Sequence, residues 1–467
     1  MTQFKRIIQD RNFLKRTFAI TVPIALQNML SNLLTLMDTL MIGHLGETSI
    51  AAVGLANRVF FVFSMLMFGI CSGSGVLASQ YWGRRELINI RRVLRMSLII
   101  GIGGSFVFLI PAVLFPSTVM RIFTPSKDTI EIGATFLGII AFSYPLTAIT
   151  NCYVATLRSM NYVKLPVIIT TVAIGINIVL NYILIFGKFG FPKMGVAGSA
   201  TSTLIARFLE MSALLIVIYS HKAGDGVIGD FIHAKYDRIK EQGAKLLNKA
   251  FVMKYFCVAS PVIANELMWG SGVTMYSLVY GRMGNAATAA TTISNTVEQV
   301  AMVFFFGLCS AAAVILGNEL GADEYDKAQE HAKNYIVMLI CLTLIGSVIT
   351  FLAKDKIVSW FAVSDDVARL TRLCITVFAI YLPFRMLNTL FIVAIFRSGG
   401  DTKAALFLDV SGVWLIGIPM AVLGGLVLKL PVYVVYAMIF LEEIYKVALS
   451  IIRYRQKKWV KNIVSSQ

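Results

Sequence analysis

Apolar residues run along this chain in twelve blocks, at roughly 17–42, 51–80, 96–116, 130–157, 165–187, 196–220, 252–281, 287–317, 333–353, 368–396, 404–427 and 431–452. A hydrocarbon core of about 30 Å takes about 20 apolar residues of helix to cross. Backbone groups in lipid must bond within their own segment, so each block is predicted to be a transmembrane helix. Polar and basic residues gather between the blocks, most of all in one longer stretch, 221–250. The pattern therefore predicts an all-α integral membrane protein.

Composition agrees: 57% of the 467 residues are hydrophobic and the mean hydropathy is +0.76, which leaves no room for a large soluble domain. The formal net charge of +17 would suggest nucleic acid in a soluble protein. Here the placement of the charge gives a different answer. Lysine and arginine cluster at Lys5, Arg6, Arg11, Lys15 and Arg16, at Arg84, Arg85, Arg91, Arg92 and Arg95, in 221–250, and from Arg453 to Lys461. With the N-terminus in the cytoplasm all of these fall on one side, as the positive-inside rule requires. Both termini are thus expected in the cytoplasm, with the basic tail meeting anionic lipid headgroups and no nucleic acid as partner. The six cysteines all lie inside apolar blocks without metal-ligand spacing, so packed thiols are expected. The basic N-terminus leads into a full-length apolar block and reads as an uncleaved first helix.

The two halves match. At a shift of 238 residues Pro23 falls on Pro261, Gly43 on Gly281, Gly46 on Gly284, Asn57 on Asn295 and Gly83 on Gly321, and Phe68-Gly69-Ile70-Cys71-Ser72 meets Phe306-Gly307-Leu308-Cys309-Ser310. At a shift of 239, Arg158-Ser159 falls on Arg397-Ser398 and Lys164 on Lys403. Agreement at Pro, Gly, Asn and Cys is far harder to obtain by chance than agreement at Leu or Val. Each half holds an even number of blocks, so both enter from the same side and form parallel six-helix repeats. The predicted organisation is a lobe over 1–220, a cytoplasmic linker over 221–250 and a second lobe over 251–467. Two such bundles rocking about a cleft give alternating access, the mechanism of a transporter.

Ionisable groups inside a span cost about 2.5–3.5 kcal/mol each at the helix centre, so each one present calls for a partner or a cavity. Glu266 lies roughly 14 residues into the seventh block, about 21 Å along a helix and close to mid-membrane, with no cation three or four residues away. It is either a coupling carboxylate or a structural carboxyl bonded across helices. Asp38 shares a helix face with Ser31 and Thr35, and is either functional or a helix-end residue near the headgroups. Asn177 and Asn181 lie one turn apart and either bridge helices or line a cation site. Asp409 lies near the cytoplasmic end of its block, where water could solvate it. Arg207 and Glu210 are spaced to pair, as are Glu442 and Glu443 with Lys446, which the repeat sets opposite Arg207. Glu298 and Arg385 carry no assigned role. Pro23, Pro145, Pro261 and Pro383 each remove a backbone bond and suggest bent helices.

With these residues in view, the chain resembles the multidrug and toxic compound extrusion (MATE) family over nearly its whole length. The resemblance is carried by Pro23, Asp38-Thr39 and Gly43-His44-Leu45-Gly46, by Ala51-Ala52-Val53-Gly54-Leu55-Ala56-Asn57, and by Arg158-Ser159-Met160-Asn161-Tyr162-Val163-Lys164. It is carried further by Gly195-Val196-Ala197-Gly198-Ser199-Ala200, Glu266 and Arg397-Ser398-Gly399-Gly400-Asp401-Thr402-Lys403. It implies a V-shaped pair of six-helix lobes in a prokaryotic inner membrane. It also implies export of organic, often cationic, compounds against entry of Na⁺ or H⁺, with no cofactor; a monomer is expected. Asp38 resembles the family's first-helix acid, with Asn177, Asn181 and Thr203 as its neighbours. Glu266 resembles the acid of the second lobe, Asp409 is a further candidate for the coupling set, and Pro23 resembles the hinge proline. The chain departs from several members at Asn181, where they carry Asp, and around Phe384-Arg385-Met386-Leu387-Asn388, which holds no acid. A flippase for lipid-linked saccharides, or an exporter of one metabolite, is the alternative. With no metal pair, nucleophile elbow or phosphate loop, an enzyme is not expected.

Overall fold

The computed structural model describes residue 7 and residues 10–220, 248–361 and 363–465. Among these every regular element is helical: α1 Arg11–Gly43, α2 Glu47–Gly83, α3 Leu87–Leu114, α4 Pro116–Arg121, α5 Lys127–Ile140, α6 Ser143–Ser159, α7 Lys164–Phe186 and α8 Val196–Tyr219, then α9 Lys249–Met283, α10 Asn285–Gly321, α11 Tyr325–Val358, α12 Asp365–Phe396, α13 Thr402–Val427, α14 Val432–Ile439 and α15 Leu441–Arg455. Ten of them are long and apolar enough to cross a membrane, and α5 with α6 meets that test as a pair. Large apolar side chains such as Val107, Ile216, Leu352, Ile380 and Leu415 lie exposed along these helices, as lipid-facing surface requires. The chain is a multi-pass membrane protein, and most of the predicted 221–250 linker lies outside the described residues.

Two of the twelve predicted blocks are not single helices, each for a local reason. The fourth is bent by 46° between α5 and α6. Pro145 has no N–H to give the Ala141 carbonyl, which instead accepts a tighter bond from Tyr144 at 3.0 Å. The twelfth breaks at Phe440 into α14 and α15, and the start of α15 carries Glu442, Glu443 and Lys446. By contrast Pro23 and Pro261 lie inside unbroken helices, and Pro383 inside the α-helical part of α12. Of the four prolines expected to bend their helices, Pro145 alone lies beside a break. Wider π-type turns appear instead, at Leu390–Phe396 in α12 and at Gly412–Gly417 and Leu423–Val427 in α13. Such turns insert an extra residue and turn the following side chains onto a new face.

The chain divides into two compact units. One comprises Met1–Ala25, Ser79–Arg84 and Ser260–Gln467; the other comprises Leu26–Ala78 and Arg85–Ala259. Of the four divisions, one falls two residues after Pro23, one just before Ser260-Pro261, and the other two after Ala78 and Arg84. Within the first unit the end of α2 crosses α10 through a reciprocal glycine contact. A methyl on Gly83 would overlap the Asn318 carbonyl, and one on Gly321 would overlap the Gln80 carbonyl. The repeat pairs Gly83 with Gly321 and Gln80 with Asn318, so the crossing is symmetric. Gln80 is held there by the C-terminal segment: its Nε2 donates to the Ser398 and Lys461 carbonyls (2.6 and 3.1 Å) and its Oε1 accepts from Ile463 N (2.8 Å). In the second unit Ser74 bonds Tyr255 at 2.7 Å, and Tyr144 stacks on Phe63.

Candidate functional site

In the second unit, helices α1, α7 and α8 bring four of the predicted site residues together. Asn181 Nδ2 donates to Asp38 Oδ1 at 2.5 Å and to Asn177 Oδ1 at 2.9 Å. Asn177 Nδ2 in turn reaches Thr203 Oγ1 at 3.3 Å. Asn177 and Asn181 stack one turn apart because they are four residues apart on α7, and both are fully buried. Asp38 is only half-buried. Ser202, which the sequence reading did not select, donates to Asn181 Oδ1. Its only signal was its place beside Thr203. These bonds fix the Asn181 amide so that its N–H, not its carbonyl, faces the carboxylate. No cation stands within ion-pair distance of Asp38 among the described residues.

A second polar chain runs through the same unit. Arg158 donates to Gln27 (2.5 Å), Gln27 to Thr170 (3.1 Å) and Thr170 to Glu210 (2.8 Å), while Arg207 pairs with Glu210 at 2.7 Å. The i, i+3 spacing of Arg207 and Glu210 therefore gives the pair expected of it. Glu210 is neutralised and belongs to the scaffold.

In the first unit Glu266 is bonded to a cation from a distant part of the chain. Arg397 Nη2 lies 2.6 Å from Glu266 Oε1, and the side chains are 1% and 8% exposed. The sequence holds no cation three or four residues from Glu266, and the structure supplies one from Arg397, directly after α12 and 131 residues away. The repeat held a hint, because Arg397 matches Arg158, which holds Gln27 in the other half. Asp409, expected where water could solvate it, is 13% exposed and also has a charged partner. Its carboxylate pairs with Lys446 at 2.9 Å and accepts from Asn265 at 3.0 Å. Lys446 lies 3.6 Å from Glu442, the partner its spacing had suggested. Glu298 and Arg385 pair with each other at 2.7 Å. Of the predicted coupling acids, Asp38 alone faces an amide rather than a cation.

A MatE family model matches residues 23–183 and again 261–423. The chain belongs to the MatE family. The double match reproduces the repeat read from Pro23/Pro261 and Arg158/Arg397, and the MatE family is one of transporters. Relatives extend over nearly the full length. An "uncharacterized transporter YisQ" of Bacillus subtilis is 24% identical, covering 95% of this chain and 94% of its own. A "probable multidrug resistance protein NorM" of Thermotoga maritima is 24% identical, covering 96% and 94%. Among solved structures, a MATE in complex with MaL6 superposes with a TM-score of 0.82 at 16% identity, covering 95% of this chain and 96% of that one. A MOP superfamily transporter from Pyrococcus furiosus gives 0.80 at 17%, covering 95% of each. The MatE fold is therefore that of the whole chain.

Proposed function

We propose that this MatE chain exports organic, often cationic, compounds from the cell in exchange for inward Na⁺ or H⁺, by alternating access, and that Asp38 is the carboxylate the coupling cation neutralises. The observation that carries the reading is the Asp38 environment. An amide hydrogen bond orients the carboxylate without cancelling its charge, its side chain is only partly buried, and the buried Asn177–Asn181–Ser202 chain holds the arrangement rigid. A proton or a small cation supplies what the amide does not. Coupling then needs only that cation and exported compound favour different states of the carrier. The two lobes of this reading are 1–220 and 251–467, joined by 221–250, in a monomer of the inner membrane with both termini in the cytoplasm. The name of the Thermotoga maritima relative supports the export of drugs.

The test is uptake of a fluorescent cationic dye into everted vesicles, whose cytoplasmic face is outside and in which export reads as uptake, first under an imposed pH gradient and then under an imposed Na⁺ gradient. One of the two should drive export, and Asp38→Asn should remove the response. Dye movement that ignores both gradients, or full coupling in Asp38→Asn, refutes the reading.

A further inference from the structure

The charges of the first unit do not balance around α15. Four carboxylates, Glu298 on α10, Asp409 on α13 and Glu442 and Glu443 on α15, face two cations, Arg385 on α12 and Lys446 on α15. Arg385 is engaged by Glu298 at 2.7 Å, and Lys446 by Asp409 at 2.9 Å. That leaves Glu442 with the far side of Lys446, at 3.6 Å, and with the Tyr276 hydroxyl, which donates to its Oε2 at 2.7 Å. Glu443 accepts from Asn388 Nδ2 at 2.6 Å and meets no cation in ion-pair range among the described residues. Glu298, Glu442 and Glu443 are buried, at 3%, 6% and 7% exposure, and the Asp409 side chain is 13% exposed.

A second observation points the same way. Asn388 is 3% exposed, and its Oδ1, in the very amide that serves Glu443, has no hydrogen-bond donor. Glu298 Oε1, beside Arg385, is also buried without a donor. A pocket with surplus acceptors and surplus negative charge lacks protons. Leaving such charges ionised and unpaired in a dry interior is strongly unfavourable.

The repeat gives the cluster its meaning. At the shift of 238 Tyr276 stands where Asp38 stands, and at 239 Glu442 stands where Thr203 stands and Lys446 where Arg207 stands. Asp38 and Thr203 are the two ends of the coupling site in the other unit. In this unit the carboxylate has moved from the first helix of the repeat to the sixth. The backbone makes room for it: a methyl at Gly417, in the π-type turn of α13, would overlap both the Tyr276 hydroxyl and the Glu442 carboxylate, and one at Gly412 would overlap the Lys446 stem.

We propose that Glu442, with Tyr276 as its hydrogen-bond donor and Glu443 beside it, is a second, proton-binding site at the repeat-related counterpart of the Asp38 site. Its ligand is H⁺ and not a metal cation, because Lys446 already occupies the electrostatic position a metal ion would take, and no grouping of acids among the described residues suits a metal. The groups facing it are Tyr276 and Tyr280 from α9, Glu298 from α10, Arg385 and Asn388 from α12, Asp409 from α13 and Lys446 from α15. Protonation of Glu442 frees Lys446 for Asp409 alone; loss of the proton draws it back. The proposal deepens the antiport reading and rests on it for its role in transport, although proton occupancy itself does not.

Infrared spectroscopy of the full-length protein in lipid bilayers at neutral pH, without gradient or substrate, tests the occupancy directly. The wild type should show the C=O stretch of a buried protonated carboxyl, shifting in D₂O. Glu442→Gln should remove that component, and Tyr276→Phe should shift its frequency by deleting the donor at Oε2, while Glu442→Asp should retain it. A wild-type spectrum without such a band, or a band unchanged in Glu442→Gln, overturns the site. Should Glu442→Gln fail to fold, an unshifted band in Tyr276→Phe overturns it equally. Dye export by the same proteins tests the antiport reading separately, so the two outcomes remain distinguishable.

Discussion

Replacing Glu266 with glutamine removes the carboxylate that the buried Arg397 guanidinium faces at 2.6 Å, while keeping the shape of the side chain. The cost follows from burial. Both side chains are more than nine-tenths inside the protein, where breaking an ion pair by deleting one partner costs about 3–5 kcal/mol because the surviving charge has lost its compensation. Glutamine keeps one acceptor oxygen, which places the expected loss near the lower end, about 3 kcal/mol. Unfolding in mixed micelles titrated with a denaturing detergent measures it. Arg397→Gln should cost a similar amount, and the double variant less than the sum, with a coupling of about 0.5–3 kcal/mol. Dye export by Glu266→Gln should fall with the amount of folded protein. The reasoning fails if Glu266→Gln unfolds like the wild type yet exports no dye. That result would make Glu266 a coupling carboxylate and Arg397 a bystander.

Three further outcomes are expected. Asp38→Asn should uncouple dye export while changing stability by no more than about 1 kcal/mol, because asparagine can still accept from Asn181 in a partly exposed position; detergent unfolding beside vesicle transport separates the two effects. Gly83→Ala and Gly321→Ala should each destabilise by about 1–3 kcal/mol or lower the folded yield, since the added methyl meets a backbone carbonyl that cannot rotate away; thermal unfolding of the purified variants reads this. Asp323, in the turn after α10, accepts hydrogen bonds from Asn462 and Tyr325, which hold its carboxyl below the usual aspartate range. A lowered folded pKa gives stabilisation that is fully present above the unfolded pKa and lost as pH falls through the folded one. Hydrogen exchange at residues 459–465 should therefore quicken as the pH falls below the ordinary aspartate range, and Asp323→Asn should flatten that dependence.

The sequence by itself determined the class and the repeat. Lipid tolerates only internally bonded backbone, so long apolar blocks could be nothing but helices. Duplication leaves its register in residues such as Pro23 and Pro261 that chance rarely matches. Asn177 and Asn181 were legible because a four-residue spacing on one helix is a distance in space, and the resemblance supplied Asp38 and Thr203 as their partners. Only the tertiary structure decided which acids carry an uncancelled charge. Glu266 looked bare because its neutralising cation is 131 residues away on another helix, and the same holds for Asp409 with Lys446 and Glu298 with Arg385. The surplus at Glu442 and Glu443 was hidden for the converse reason: i, i+4 spacing promised Glu442 a lysine that packing gives first to Asp409. Local spacing reports partners within one helix, whereas the free energy of a buried charge depends on everything packed around it.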